Sequence, residues 1–253
     1  MITAVSNDVG IETHGHVAWV ELRRPPHNFF DVALIAALAE TFEAIDRETD
    51  LRCIVLAAQG NSFCAGADFS RATEKPGDLY ASAARLFATQ KPIVGAIQGP
   101  AIGGGLGLAL VPDFRIVAPQ ARFAANFVKL GIHPGFALTS TLPRLIGIQK
   151  AAMLLYTGRR INAEEALNWG LVDQIAPAAD LRDAAMALAN EIAEAAPLAV
   201  TATRATLRAG LAEAFKAQTT HEAAEQARLS GTSDFREGLK AVAERRPGRF
   251  IGA

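Results

Sequence analysis

Between Gly99 and Gly107 five of nine residues are glycine, and the run joins an apolar stretch to a helix-forming one. The segment Gly99-Pro100-Ala101-Ile102-Gly103-Gly104-Gly105-Leu106-Gly107 follows an expected strand, Pro92–Ile97, and opens a helix expected over Ile102–Leu110. Backbone without Cβ atoms can lie close to a sheet or a ligand. A second loop of small residues, Phe63-Cys64-Ala65-Gly66-Ala67-Asp68, follows the expected strand Cys53–Ala58. Helix starts aim unpaired N–H groups at negative charge. One N–H from each loop could therefore hold a carbonyl oxygen that gains charge, each such donor contributing a few kcal/mol. By itself a glycine-rich turn serves tight packing as readily as ligand binding. A dinucleotide reading is weak, because no acidic partner follows at the required spacing.

Around these loops the front half alternates strands and helices. His16–Leu22 reads as a strand before Pro25-Pro26. Asp31 can cap a helix in which Leu34, Ile35, Leu38, Phe42 and Ile45 recur at helical spacing. Further expected elements are a helix over Leu79–Thr89, a strand over Asp113–Ala118 and an extended segment over Ala121–Phe127. Past Pro134-Gly135 the pattern favours helix alone: Thr139–Leu145, Lys150–Tyr156, Ala163–Trp169, Leu181–Ala195, Pro197–Ala209 and Leu211–Gln226. The expectation is an α/β chain with a βα-repeat core and a helical C-terminal region. With no linker or repeat between the halves, one domain over 1–253 is expected, with the core to about 195 and the helical region beyond.

Composition narrows the function. Of 253 residues 50% are hydrophobic and 20% charged, and the formal net charge is -1. That suits a globular core and offers no field for nucleic acid or an anionic membrane. The N-terminus does not read as a signal peptide, and the longest apolar run, Ala101 to Pro112, is too short to span a bilayer. Cys53 and Cys64 suggest no disulfide framework, so a cytoplasmic setting is expected. No metal-ligand spacing is present, and no redox cofactor is implied.

Taken together, the segments resemble the enoyl-CoA hydratase/isomerase (crotonase) superfamily over almost the whole chain. Leu22-Arg23-Arg24-Pro25 with Asn28 is similar to the family's N-terminal signature. Ser62 through Asp68 and Gly103-Gly104-Gly105 are similar to its two oxyanion loops. Lys91 through Gly99 resembles the strand between them. Gly131, Pro134-Gly135, Leu142 through Gly147, Thr157 through Asp173, Asp234 through Gly238 and Glu244 through Pro247 follow in the family's order.

The resemblance implies a spiral of ββα units with a helical C-terminal trimerisation region, assembled as homotrimers or dimers of trimers. It implies an oxyanion hole formed by the N–H groups of Ala67 and Gly104. It also implies an acyl-CoA substrate, with coenzyme A entering as part of that substrate and no separate cofactor. Arg24, Ala65, Asp68, Gly103, Phe127 and Arg245 are its expected contacts, although Asp68 reads as a helix cap rather than a base and Arg245 could equally lie in solvent.

The sequence departs from the family where its acids stand. Hydratases of the family use two glutamates, and those positions are Gly107 and Phe127 here. The aspartate of some isomerases and dehalogenases falls at Gly135. Losing one positioned acid or base commonly costs ~10²–10⁴ in rate, so efficient hydration is not expected. His133, in the Pro-Gly turn, is the tentative acid/base group. His27, Glu74, Asp78 and Tyr80 are reserves, and Asp113 reads as a brace for strand ends. Three readings stay open: a lyase or isomerase of the family type, a decarboxylase or hydrolase of a malonyl-type or branched thioester, and an acyl-CoA-binding protein without chemistry.

Overall fold

The computed structural model describes residues 6–67 and 76–253. A hairpin opens the chain, β1 (Val9–His14) antiparallel to β2 (Val17–Leu22). Helix α1 (Val32–Arg47) starts at Asp31, whose carboxylate accepts the Leu34 N–H at 2.9 Å. Strand β3 (Cys53–Ala58) then pairs parallel to β2. After α2 (Pro76–Phe87), β4 (Ile93–Ile97) pairs parallel to β3. Burial on both faces explains why β3 and β4 are continuous apolar runs rather than alternating ones.

The glycine-rich run divides into β5 (Ala101–Ile102) and α3 (Gly104–Ala109), with Gly103 between them in a left-handed conformation. The expected helix thus begins two residues late, because Ala101 and Ile102 pair with β7 (Arg122–Ala124). Strand β6 (Phe114–Val117) extends the main sheet, and β8 (Arg160–Asn162) closes the small one. The short β9 (Gln174–Ile175) gives the main sheet its order β1-β2-β3-β4-β6-β9. Phe127, expected in an extended segment, instead lies in a 3-10 turn over Asn126–Leu130.

Two expected helices, Thr139–Leu145 and Lys150–Tyr156, form one element, α4 (Leu138–Thr157), interrupted at Gly147 where φ is 76°. Helix α5 (Ala163–Trp169) is capped by Asn162. In α6 (Leu181–Glu194) the buried residues Leu181, Ala185, Ala189 and Ala193 recur every fourth position. Small side chains in that stripe let α6 lie close against one sheet face, over Val55, Val94 and Ile116. The opposite face packs on α1, α2 and the two glycine loops. The chain ends in α7 (Pro197–Leu207), α8 (Leu211–Ser230) and α9 (Ser233–Ala243). Strands β1, β8 and β9 and helix α9 were not expected; each is short or carries polar residues on an exposed face.

Asp113 braces this frame. It accepts the Ile93 N–H at 2.9 Å and pairs with Arg204 Nε and Arg208 Nη1, both at 2.8 Å. One carboxylate therefore ties the start of β4 to helix α7 and the loop behind it. Among the described residues no helix is long and apolar enough to cross a membrane.

Candidate active site

The two glycine loops nest against each other. Cys64 N–H donates to Pro100 O at 3.2 Å, and Ile102 N–H donates to Cys64 O at 3.0 Å. On the other side, Ala65 N–H donates to His27 O at 2.9 Å and Phe30 N–H to Gly66 O at 3.0 Å. The first loop is thus held between residues 27–30 and 100–102. Asn28 fastens the arrangement: it is fully buried, its amide nitrogen donates to Gln59 O and Ser62 O, and its amide oxygen accepts the Arg24 N–H.

Glycine is required at the contact. A Cβ on Gly105 would overlap Cys64 O. Gly66 has φ +98°, and a Cβ there would lie 3.0 Å from Ile102 O and 3.5 Å from Gly104 N. This close approach brings the main chain at Gly66-Ala67 beside that of Gly104. Gly103 N–H is already used, donating to Ala124 O at 2.8 Å. Among the described residues the N–H groups of Ala67 and Gly104 have no acceptor.

Phenyl rings wall this place. Phe30 covers Gly104, whose Cβ would lie 2.5 Å from Phe30 Cζ. Phe136 covers Gly107, one helical turn along α3, and a Cβ there would meet three Phe136 carbons at 2.6–2.7 Å. A Cβ on Gly103 would lie 3.8 Å from Phe127 Cζ and 3.3 Å from Asn126 Oδ1. The Phe30 and Phe136 rings touch each other, centroids 5.6 Å apart. At Gly135 a Cβ would overlap both the Tyr80 hydroxyl and Gln226 Nε2, at 2.2 and 2.5 Å. All three positions where the family carries acids are therefore filled: two by phenyl rings, the third by a tyrosine and a glutamine.

Ala65, Ala67, Gly103, Gly104 and Phe127 lie in one neighbourhood. The Arg24 guanidinium pairs with Asp8 and Asp31, each at 2.8 Å. Arg245 is exposed beyond α9 with φ 54°. His133 Nδ1 lies 2.7 Å from Pro134 O. A carbonyl only accepts, so Nδ1 carries the proton and Nε2 is the free acceptor of the neutral ring. Its ring packs edge-on to His221 of α8, centroids 6.0 Å apart. Asp68 and Glu74 lie outside the described residues. Burial pushes the Cys64 thiol up to about 12, so it is inert beside the site.

Glu222 and Gln226 on α8 escaped the sequence reading. Glu222 accepts the N–H groups of Ala137 (2.7 Å) and Thr139 (3.2 Å) and the Thr139 hydroxyl (2.5 Å). Gln226 accepts the Tyr80 hydroxyl at 3.0 Å and donates to His133 O at 3.1 Å. The available signal was Gln218, Glu222 and Gln226 spaced i, i+4, i+8 on one helix face. Burial raises the Glu222 carboxyl from 4.5 to about 7 despite these donors.

The fold and the relatives place the chain among acyl-CoA enzymes of the crotonase superfamily. The family model for enoyl-CoA hydratase/isomerase matches residues 12–252, and the chain belongs to that family. It is 36% identical to (E)-benzylidenesuccinyl-CoA hydratase of Thauera aromatica, over 97% of this chain and 99% of the relative. It is 34% identical to carnitinyl-CoA dehydratase of Proteus mirabilis, over 98% and 100%. Among solved structures, an enoyl-CoA hydratase/isomerase from Pseudoalteromonas atlantica superposes with a TM-score of 0.89 at 29% identity, covering 97% of this chain and 100% of that one. An enoyl-CoA hydratase from Bacillus anthracis gives 0.77 at 32%, covering 98% and 100%. These likenesses support an acyl-CoA enzyme of the lyase/hydratase type.

Proposed function

We propose that this chain is an acyl-CoA lyase working through a thioester enolate, with the Ala67 and Gly104 N–H groups as an oxyanion hole. The observation that carries the reading is the pair of unengaged main-chain donors nested where only glycine permits. Such fixed donors stabilise charge as it develops on the thioester oxygen. No carboxylate at 107 or 127 serves proton transfer, so His133, through Nε2, is the acid/base group of a hydration-type step. Coenzyme A lies along Ala65 and Ala67, near Arg24, Asp68, Gly103 and Phe127, with Arg245 reaching its phosphates. Homotrimers are the proposed assembly, supported by the exposed apolar residues Ile148, Tyr156 and Leu198.

The phenyl rings favour a second reading, decarboxylation of a malonyl-type thioester. When the bond between Cα and the carboxylate breaks, its electron pair passes into the enolate and CO₂ leaves, with no base needed. Apolar walls at Phe30, Phe127 and Phe136 disfavour the charged carboxylate of the ground state.

One panel separates the readings. Crotonyl-CoA, malonyl-CoA and methylmalonyl-CoA are incubated with wild type and His133→Ala, and 3-hydroxyacyl-CoA and CO₂ are measured. Hydration lost in His133→Ala supports the first reading. CO₂ release unchanged in that variant supports the second. Tight binding without turnover of any substrate contradicts both.

A further inference from the structure

Phe136 and Ala137 are consecutive non-glycine residues with left-handed backbone, φ 60° and 52°. Each such residue is strained and persists only where the surroundings over-determine it. The surroundings here are on α8. Glu222 takes the N–H groups of Ala137 and Thr139, while Gln218 Nε2 donates to the Thr139 hydroxyl at 2.7 Å. Gln226 fixes the carbonyl of His133 and the hydroxyl of Tyr80, whose ring stands edge-on to Phe136 at 6.5 Å. Phe215, also on α8, packs edge-on to Phe136 from the other side at 5.6 Å.

The strain has one visible product. It sets the Phe136 side chain against Gly107, one helical turn along α3 from Gly104. Residue 107 has no side chain of its own, and the three atoms nearest to a Cβ there all belong to Phe136, which is 1% exposed.

We infer that Phe136 is the specificity-determining residue of the acyl pocket and that Glu222 is the positioning residue that holds it there. The ring cuts the pocket short on the α3 side, so the preferred substrates carry a small acyl group beyond the thioester. This inference rests on the acyl-CoA site proposed above.

The test is binding rather than turnover, using saturated acetyl-, butyryl-, hexanoyl- and octanoyl-CoA by titration calorimetry. Wild type is expected to lose affinity, or gain none, beyond the short acyl groups. Phe136→Gly suits the left-handed backbone and opens the room. Relative to acetyl-CoA, its affinity should rise up to about fourfold for each added methylene. Glu222→Ala should move in the same direction, and Glu222→Gln, which keeps an acceptor for Ala137, should stay close to wild type. If Glu222→Ala does not fold, Glu222→Asp serves in its place. A Phe136→Gly chain-length profile equal to that of wild type overturns the inference while leaving the site intact. A Glu222→Ala or Glu222→Asp profile equal to wild type removes the positioning role. Failure of wild type to bind any acyl-CoA, acetyl-CoA included, overturns the site itself and this inference with it.

Discussion

The side chain of Phe136 occupies the space into which any side chain at Gly107 would project, with its Cβ and two ring carbons 2.6–2.7 Å from the position of a Cβ there. The two residues therefore exclude each other as large side chains. Replacing Gly107 with glutamate alone should destabilise the protein by about 1–3 kcal/mol through overpacking. Adding Phe136→Gly should recover much of that loss, so the two changes will be non-additive. Urea unfolding of the two single variants and the double variant measures the coupling. Additive losses would contradict the contact.

Removing Asp113 is expected to be more costly. Arg204 and Arg208 both lean on this one carboxylate, with side-chain exposures of 8% and 14%. Asp113→Ala leaves two largely buried guanidinium groups without their counter-charge, at a cost of about 3–5 kcal/mol. Thermal unfolding should show a large fall in Tm with little change in the activity of the protein that remains folded.

Glu222 should make stability depend on pH. Its carboxyl titrates near 4.5 when unfolded and about 7 in the fold, because burial outweighs its hydrogen bonds. The folded chain binds this proton more tightly than the unfolded chain. The group's contribution is thus complete below pH 4.5 and is lost as pH rises through about 7, an effect on the order of 3 kcal/mol. Denaturation of wild type at pH 5 and pH 8 should show the fall, and Glu222→Gln should flatten it. An identical slope in both proteins would contradict the assignment.

Much of this was legible beforehand, for physical reasons. Apolar runs bounded by glycine and proline marked β3 and β4, and Asp31 marked the start of α1 as a cap. The two glycine loops could be recognised because close main-chain approach admits no other residue at Gly66 and Gly105. Strand β1 was not legible, since its residues Glu12 to His14 face solvent. Nor was the place of Phe136 beside Gly107, because it depends on a left-handed turn that the sequence Pro-Gly-Phe-Ala does not announce. The clamp from Glu222 spans 85 residues in sequence, beyond the reach of any local pattern.

Ala67→Pro removes one proposed donor while leaving a residue of similar size. Gly66 before it tolerates the restriction proline imposes on its neighbour. Turnover of whichever thioester proves to be the substrate should fall ~10²–10³-fold, with KM changed far less. Circular dichroism checks that the fold is kept. A kcat equal to that of wild type would remove Ala67 from the chemistry.

The most direct measurement is the carbonyl stretch of a bound thioester carrying ¹³C at C1, read by isotope-edited infrared difference spectroscopy. Two main-chain donors converging on that oxygen polarise the carbonyl, so its band should shift to lower wavenumber than in water. In Ala67→Pro it should return part of the way. A bound carbonyl absorbing at its solution position in wild type would contradict the account.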